Sequence, residues 1–291
     1  MRLAFLGTPD ASVASLRALV GAGHDVAIVI TRPDRRRGRG NTTSPSPVKA
    51  AALQLGLKVS HDIGDLEDLD IERGVVVAYG ALIRAPLLEQ VPMLNVHFSL
   101  LPRWRGAAPV EWAILAGDEV TGVSIMSLEV ALDTGPVHLA RQISIGDKDA
   151  GELLGELSHL GATALLDVLA SPDLLAHPHA QEGDATYAAK LTAETFHLVP
   201  AMDQTLMLRT VRLGRAFTLV NGRRLRILRA HTAELASGAR DAVHVVNGTV
   251  YLESALGAIA LDDVQPEGST PMSAMAWWAG ARLPGGAAVW S

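Results

Sequence analysis

A doubly wound, mostly parallel α/β sheet followed by a small β-barrel or sandwich is the fold that this 291-residue sequence predicts. Three observations predict it. The chain opens with an apolar strand, a turn and a helix; short apolar runs then alternate with helical stretches as far as Val168; and beyond about Thr205 short strands separated by turn residues take over.

The first run, Arg2 to Leu6, stops at Gly7-Thr8-Pro9-Asp10, and Val13, Leu16 and Val20 then recur at helical spacing. Gly21 and Gly23 end that helix, and Val26 to Ile30 follows as a β-branched run suited to a strand covered on both faces. Strand, helix and strand in this order make a right-handed βαβ unit. Further apolar runs at Val75–Ala78 and Leu94–Val96 alternate with helical stretches near Val48–Leu55, Pro86–Gln90 and Pro109–Ala116. Leu153, Leu157, Leu160, Ala164 and Val168 mark an amphipathic helix of several turns, the last long one of this part. A polar stretch leads to about Thr205, after which strand-like runs lie at Leu225–Leu228, Ala242–Val246, Thr249–Leu252 and Ala258–Leu261. Gly222 and Asn247-Gly248 punctuate them, and Asn-Gly is the strongest hairpin signal.

Composition narrows the chemistry. With 48% apolar residues the chain can build substantial cores, and with no cysteine it can use neither disulfides nor thiolates, so an intracellular, cytoplasmic setting is expected. Met1–Leu6 is far shorter than the hydrophobic region of a signal peptide, and the apolar stretch Gly74–Ile83 is about half the length of a membrane span, so neither export nor a membrane partner is expected. Of the net charge of −6, the residues from Pro200 onward contribute +2 and the first 199 residues −8, which separates two portions of different electrostatic character.

The informative segment is Leu94-Asn95-Val96-His97-Phe98-Ser99-Leu100-Leu101-Pro102-Arg103-Trp104-Arg105-Gly106-Ala107-Ala108-Pro109. On a strand alternate side chains share a face, so Asn95 and His97 point the same way, near the carboxyl end of a central strand where open α/β sheets place their ligands. Spacing alone fits equally a hydrogen-bonded pair capping the sheet. In Ala131-Leu132-Asp133-Thr134-Gly135 a carboxylate sits in a tight turn between two apolar runs, a place where aspartate usually serves only the turn. Together, however, an amide, an imidazole and a carboxylate suit acyl-type transfer to an amine.

Asn95–Pro109 resembles the signature of the folate-dependent formyltransferases. Supporting matches follow in family order: Phe5–Asp10, the loop Thr31–Lys49, Val77–Gly80, Leu132–Gly135, Tyr187–Leu191, Gln265–Gly268 and Met272–Ala274. Two positions depart from the pattern, Ala131 where glycine is common and Phe98 where a small residue is frequent. The resemblance implies a Rossmann-like catalytic domain over 1–189, a linker over 190–205 and an OB-like barrel over 206–291 that binds tRNA. It implies 10-formyltetrahydrofolate as formyl donor, initiator methionyl-tRNA as acceptor, no metal, and Asn95, His97 and Asp133 as the catalytic trio. Ser99, Leu100, Leu101 and Pro102, with Tyr79 and Gly80, match the positions that hold the reduced folate. A monomer is expected.

Arg32, Arg35, Arg36, Arg37 and Arg39 crowd one loop, either as a solvated charge run or, as the resemblance favours, as a grip on tRNA phosphates. Trp104 stacks on substrate or packs its loop, Trp277 and Trp278 read as packing residues, and most of His24, His61, His138, His159, His177 and His179 read as ordinary surface histidines. Gly7-Thr8-Pro9 replaces the Gly-x-Gly-x-x-Gly turn, which argues against a dehydrogenase. Two rival readings share these features: a formyltransferase for a sugar nucleotide or other small amine, and a catalytically silent RNA-binding protein of the same fold.

Overall fold

The computed structural model describes residues 1–36, 43–234, 241–281 and 287–291. The chain forms two compact units, one of Met1–Val110, Glu119–Ile145 and Glu152–Ala189, the other of Glu111–Asp118, Gly146–Gly151 and Lys190–Ser291.

In the first unit the strands are β1 (Arg2–Gly7), β2 (Asp25–Ile30), β3 (Val59–Ser60), β4 (Arg73–Val77), β5 (Met93–His97), β6 (Val120–Ser127) and β7 (Val137–Ser144). They form one sheet in the order β7-β6-β5-β4-β1-β2-β3, parallel from β5 to β3, with β6 antiparallel to both its neighbours. The apolar runs that read as strands in the sequence are thus in place, and the chain reverses its direction of winding between β1 and β4. Helix α1 (Val13–Gly21) buries Leu16 and Leu19 with Ser15, and the Ser12 hydroxyl donates to the Val77 carbonyl at 2.7 Å, tying the start of the helix to the end of β4. Helix α2 (Pro47–Gln54) is capped by Ser46, whose Oγ accepts from the Lys49 amide. Short helices α3 (Ala85–Gln90) and α4 (Pro109–Ala116) follow β4 and precede β6.

Helix α5 (Ala150–Ala170) is the amphipathic helix of the sequence, with Leu153, Leu157, Ala164, Leu165 and Val168 buried. By length and composition it could cross a membrane, but half of its apolar window lies inside the protein. At Gly161 it lies close against the sheet: a Cβ there would stand 2.7 Å from Val96 and 3.7 Å from Val123.

His138 departs from the surface placement that its spacing suggests, because β7 directs it inward: it is 4% exposed. Its Nδ1 donates to the Leu174 carbonyl and its Nε2 accepts from the Ser127 hydroxyl, each at 2.8 Å. Burial holds its pKa below the ordinary 6.5, against the opposing pull of the Leu174 bond and with help from Arg73. Below that ordinary value the unfolded chain binds a proton that the native state refuses, so this contribution is present at neutral pH and is lost as pH falls. The slope is at most about 1.4 kcal/mol per pH unit. Thermal unfolding should therefore lose more Tm between neutral pH and about pH 5 in the wild type than in His138→Gln. Equal losses would refute it.

The second unit is a near-closed antiparallel barrel. Its strands are β8 (Phe217–Val220), β9 (Arg223–Ala233), β10 (Ala242–Val246), β11 (Thr249–Ser254), β12 (Gly257–Pro266) and β13 (Ala287–Val289), ordered β8-β9-β12-β11-β10-β13, with Met272–Ser273 added beside β12. Reciprocal bonds between Leu219 and Ser291 and a Val220–Trp290 bridge bring the last strand back to β8. Asn247 (φ 50°) and Gly248 (φ 80°) turn the β10–β11 hairpin as their sequence predicts, and Asn221-Gly222 repeats the device between β8 and β9. Ile227, Val243, Val250, Leu252, Ile259 and Trp290 fill the core, and Trp277 of the helix Ala274–Ala281 packs against it as expected.

Candidate active site

The carboxyl ends of β4 and β5 and the β6–β7 hairpin enclose a cavity of about 480 Å³ in the first unit. Its walls include Ala78–Ile83, Asn95–Phe98, Gly106, Ala107, Pro109 and Leu128–Asp133, so the proposed trio, Tyr79 and Gly80 all line one space. Phe98 and Ala131, the two departures from the family pattern, line it too.

Asn95, His97 and Asp133 are 9%, 6% and 7% exposed. Register explains the first two: β5 is buried along its whole length between β4 and β6, with Asn95 opposite Met126 and His97 opposite Ser124. Nε2 of His97 donates to the Trp104 carbonyl at 2.9 Å, which leaves Nδ1 facing the Asp133 carboxylate at 3.8 Å. That separation is long for a hydrogen bond, but a proton on Nδ1 would make it an ion pair. Among the described residues the Asn95 carboxamide has no hydrogen-bond partner, so its donors are open to the cavity.

Asp133 has a left-handed backbone (φ 51°), and its Oδ2 accepts from the Gly106 amide at 2.7 Å. Gly106 can present that amide because Arg105–Gly106 pairs in parallel with Tyr187–Ala188. Its φ is +117°, and a Cβ there would lie 2.6 Å from the Ala188 carbonyl oxygen. The Tyr187-Ala188 motif thus acquires a role that its sequence does not announce, and so does Gln181, whose amide bonds the carbonyls of Asp133 and Gly135.

Ser99 to Pro102 lies off the cavity lining. Ser99 is fully buried, its hydroxyl donating to the Arg103 carbonyl at 2.6 Å, while Ser124 Oγ donates to Ser99 O and accepts from the Leu101 amide. These bonds fix the loop that carries Trp104, on whose ring the Arg103 guanidinium rests at 4.4 Å. Burial raises the pKa of Tyr79, offset in part by Arg32 and reinforced by Asp62, so the phenol stays neutral.

Arg35 and Arg36 form a two-residue antiparallel pairing with Thr43 and Ser44, and the Arg32 amide contacts Thr8 Oγ1 at 3.4 Å; Arg37 and Arg39 lie outside the described residues. In the second unit three arginines serve structure. Arg209 bonds the Leu115 carbonyl, Arg212 those of Gly146 and Lys148, and Arg226 that of Gly214 and the Gln265 side chain. Arg215, Arg223 and Arg224 are exposed, with Arg224 stacked 3.8 Å over Phe217.

Residues 1–169 match the family model described as formyl transferase, and residues 206–282 match that of the formyl transferase C-terminal domain. The chain belongs to the formyl transferase family. Two relatives of this formyltransferase are the methionyl-tRNA formyltransferases of Jannaschia sp. strain CCS1, 40% identical over 98% of this chain and 99% of the relative, and of Heliobacterium modesticaldum, 38% identical over 97% and 98%. In fold the formyltransferase also resembles HypX from Aquifex aeolicus, solved in complex with tetrahydrofolic acid, with a TM-score of 0.68 and 17% identity over 98% of this chain and 48% of that one.

Proposed function

We propose that this formyltransferase moves the formyl group of 10-formyltetrahydrofolate to the amino group of methionine on initiator tRNA. The carrying observation is the unpartnered Asn95 carboxamide facing a cavity that also holds the His97–Asp133 pair. An amide that makes no bond within the protein and lines the cavity is free to bond a ligand there. The cavity's volume falls in the range of small-molecule sites, and its largely apolar walls with few polar groups suit a flat heteroaromatic ring such as a pterin.

When bound, the donor supplies a formyl carbon held on nitrogen. As the acceptor amine bonds to that carbon, the old C–N bond breaks, the amine loses a proton, and the donor's nitrogen leaves with the bond's electron pair and takes a proton up. Asn95 donates to the oxygen on which negative charge develops. His97 Nδ1, backed by Asp133, is the atom that takes up or shares the departing proton, and the Gly106 amide keeps the carboxylate aimed at it. Tyr79, Gly80 and the loop Ser99–Pro102 shape the donor's seat, the former two from the lining and the loop by holding Trp104 and His97 in register.

The acceptor reading draws support from relatives of 38–40% identity over nearly their full length, against the sugar-nucleotide alternative. The arginines at 32, 35, 36, 37 and 39 would meet tRNA phosphates. Replacing Arg35, Arg36 and Arg37 together by Ala should weaken tRNA binding and lower the salt slope by about one unit for each phosphate no longer neutralised. An unchanged slope would remove the loop from the interface. The direct test offers the protein the formyl donor with either charged initiator tRNA or an amino-sugar nucleotide and asks which amine is formylated; formylation of the sugar alone would overturn the acceptor assignment.

A further inference from the structure

We infer that Gln181 is a positioning residue for the transfer, acting through Asp133 and anchored by Arg105. The inference rests on the reading of Asn95, His97 and Asp133 as the transfer site.

Gln181 stands 48 residues beyond Asp133, yet its Nε2 donates to the backbone carbonyls of Asp133 and Gly135, both at 2.8 Å. On its other side Oε1 accepts from Arg105 Nε at 3.0 Å and Nη2 at 2.6 Å. Carbonyls only accept and a guanidinium only donates, so the carboxamide has one permitted orientation, and its two hydrogens and its oxygen are all used. Arg105 is also the residue before Gly106, whose amide binds the Asp133 carboxylate at 2.7 Å. One dipeptide therefore grips Asp133 twice: through the Gly106 amide at the carboxylate, and through the Arg105 side chain and Gln181 at the backbone.

That double hold matters because Asp133 occupies a left-handed conformation, which aspartate tolerates better than most side chains but still at a cost that the external bonds offset. Gly135 lies close against the Ser127 carbonyl oxygen, where a side chain would collide. Freed from Gln181, the turn can relax, and the gap of 3.8 Å between His97 Nδ1 and Asp133 is the distance that would drift. Neither Gln181 nor Arg105 lines the cavity, so substrate binding there has no direct reason to change.

The experiment is a steady-state comparison of wild type, Gln181→Met, Gln181→Glu and Asp133→Asn, with formyl donor and charged initiator tRNA each varied. Gln181→Met should lower kcat by about 10-fold or more, the scale of a small displacement of a catalytic group, and leave both KM values within about 2-fold. Gln181→Glu keeps the pairing with Arg105 but gives up both donors, and should fall as far; it carries the same reading if the methionine variant does not fold. Wild-type kcat in either folded variant, or a raised KM at unchanged kcat, overturns the inference. Wild-type turnover by Asp133→Asn would instead sink the transfer-site reading beneath it, so the two failures are distinguishable.

Discussion

An Asn95→Ala enzyme is expected to turn over about 100-fold or more slowly than wild type, with both KM values little changed. The carboxamide contributes no bond to the resting protein, so its loss should appear only when charge develops on the formyl oxygen. In the ground state that oxygen is a weak acceptor; as it becomes an oxyanion, one aligned donor in a water-poor cavity gains roughly 3 to 4 kcal/mol, the scale known from removing single oxyanion donors elsewhere. Stability should respond differently. Because the carboxamide makes no hydrogen bond in the resting protein and lines the cavity, its removal should leave thermal stability close to that of the wild type. Loss of turnover with retained Tm would mark a residue kept for chemistry; near-normal turnover in a folded variant, or a large fall in Tm with it, would count against the assignment.

How far the site can be read from the chain alone depends on how local its causes are. Asn95 and His97 share a strand face by the two-residue period alone, and Asn247-Gly248 dictates its turn by conformational preference, so both are legible. Orientation is less so. β6 is buried on both faces, a pattern that reads as a parallel strand, but the two-residue period is the same in either direction and the strand runs antiparallel. Asp133 is the hardest case. By sequence it is one more turn aspartate, and what aims it at His97 is a two-residue ladder between Arg105–Gly106 and Tyr187–Ala188, more than 80 positions apart and too short to leave any periodic trace. Gln181 and His138 hide for the same reason: each is defined by carbonyls supplied from distant segments. The cluster of arginines after Pro200 carries the converse lesson, because Arg209, Arg212 and Arg226 are indistinguishable by type from Arg223 and Arg224 but are committed to backbone carbonyls and a glutamine.

Asp133→Asn separates charge from shape at this site. The amide oxygen of asparagine can still accept from Gly106, and the backbone bonds to Gln181 do not involve the side chain, so the turn should hold its place. What disappears is the negative charge opposite His97 Nδ1, in a pocket where both groups are buried and electrostatic effects are poorly screened. With Nε2–H fixed on the Trp104 carbonyl, Nδ1 is the nitrogen left to receive a proton, and an asparagine amide turned toward it either donates to that lone pair or offers a neutral oxygen in place of a carboxylate. Either way the protonated ring loses its counter-charge at the step where the amine must give up its proton. The expected fall in kcat is on the order of 1,000-fold, short of the roughly 10,000-fold known for neutralising a carboxylate hydrogen-bonded to a catalytic imidazole, because this pair stands 3.8 Å apart. A double-mutant cycle with His97→Ala reads the cause. If Asp133 acts through His97, Asp133→Asn should cost little further turnover once the ring is gone; the same loss in the His97→Ala background would mean that the carboxylate serves the reaction without engaging the ring.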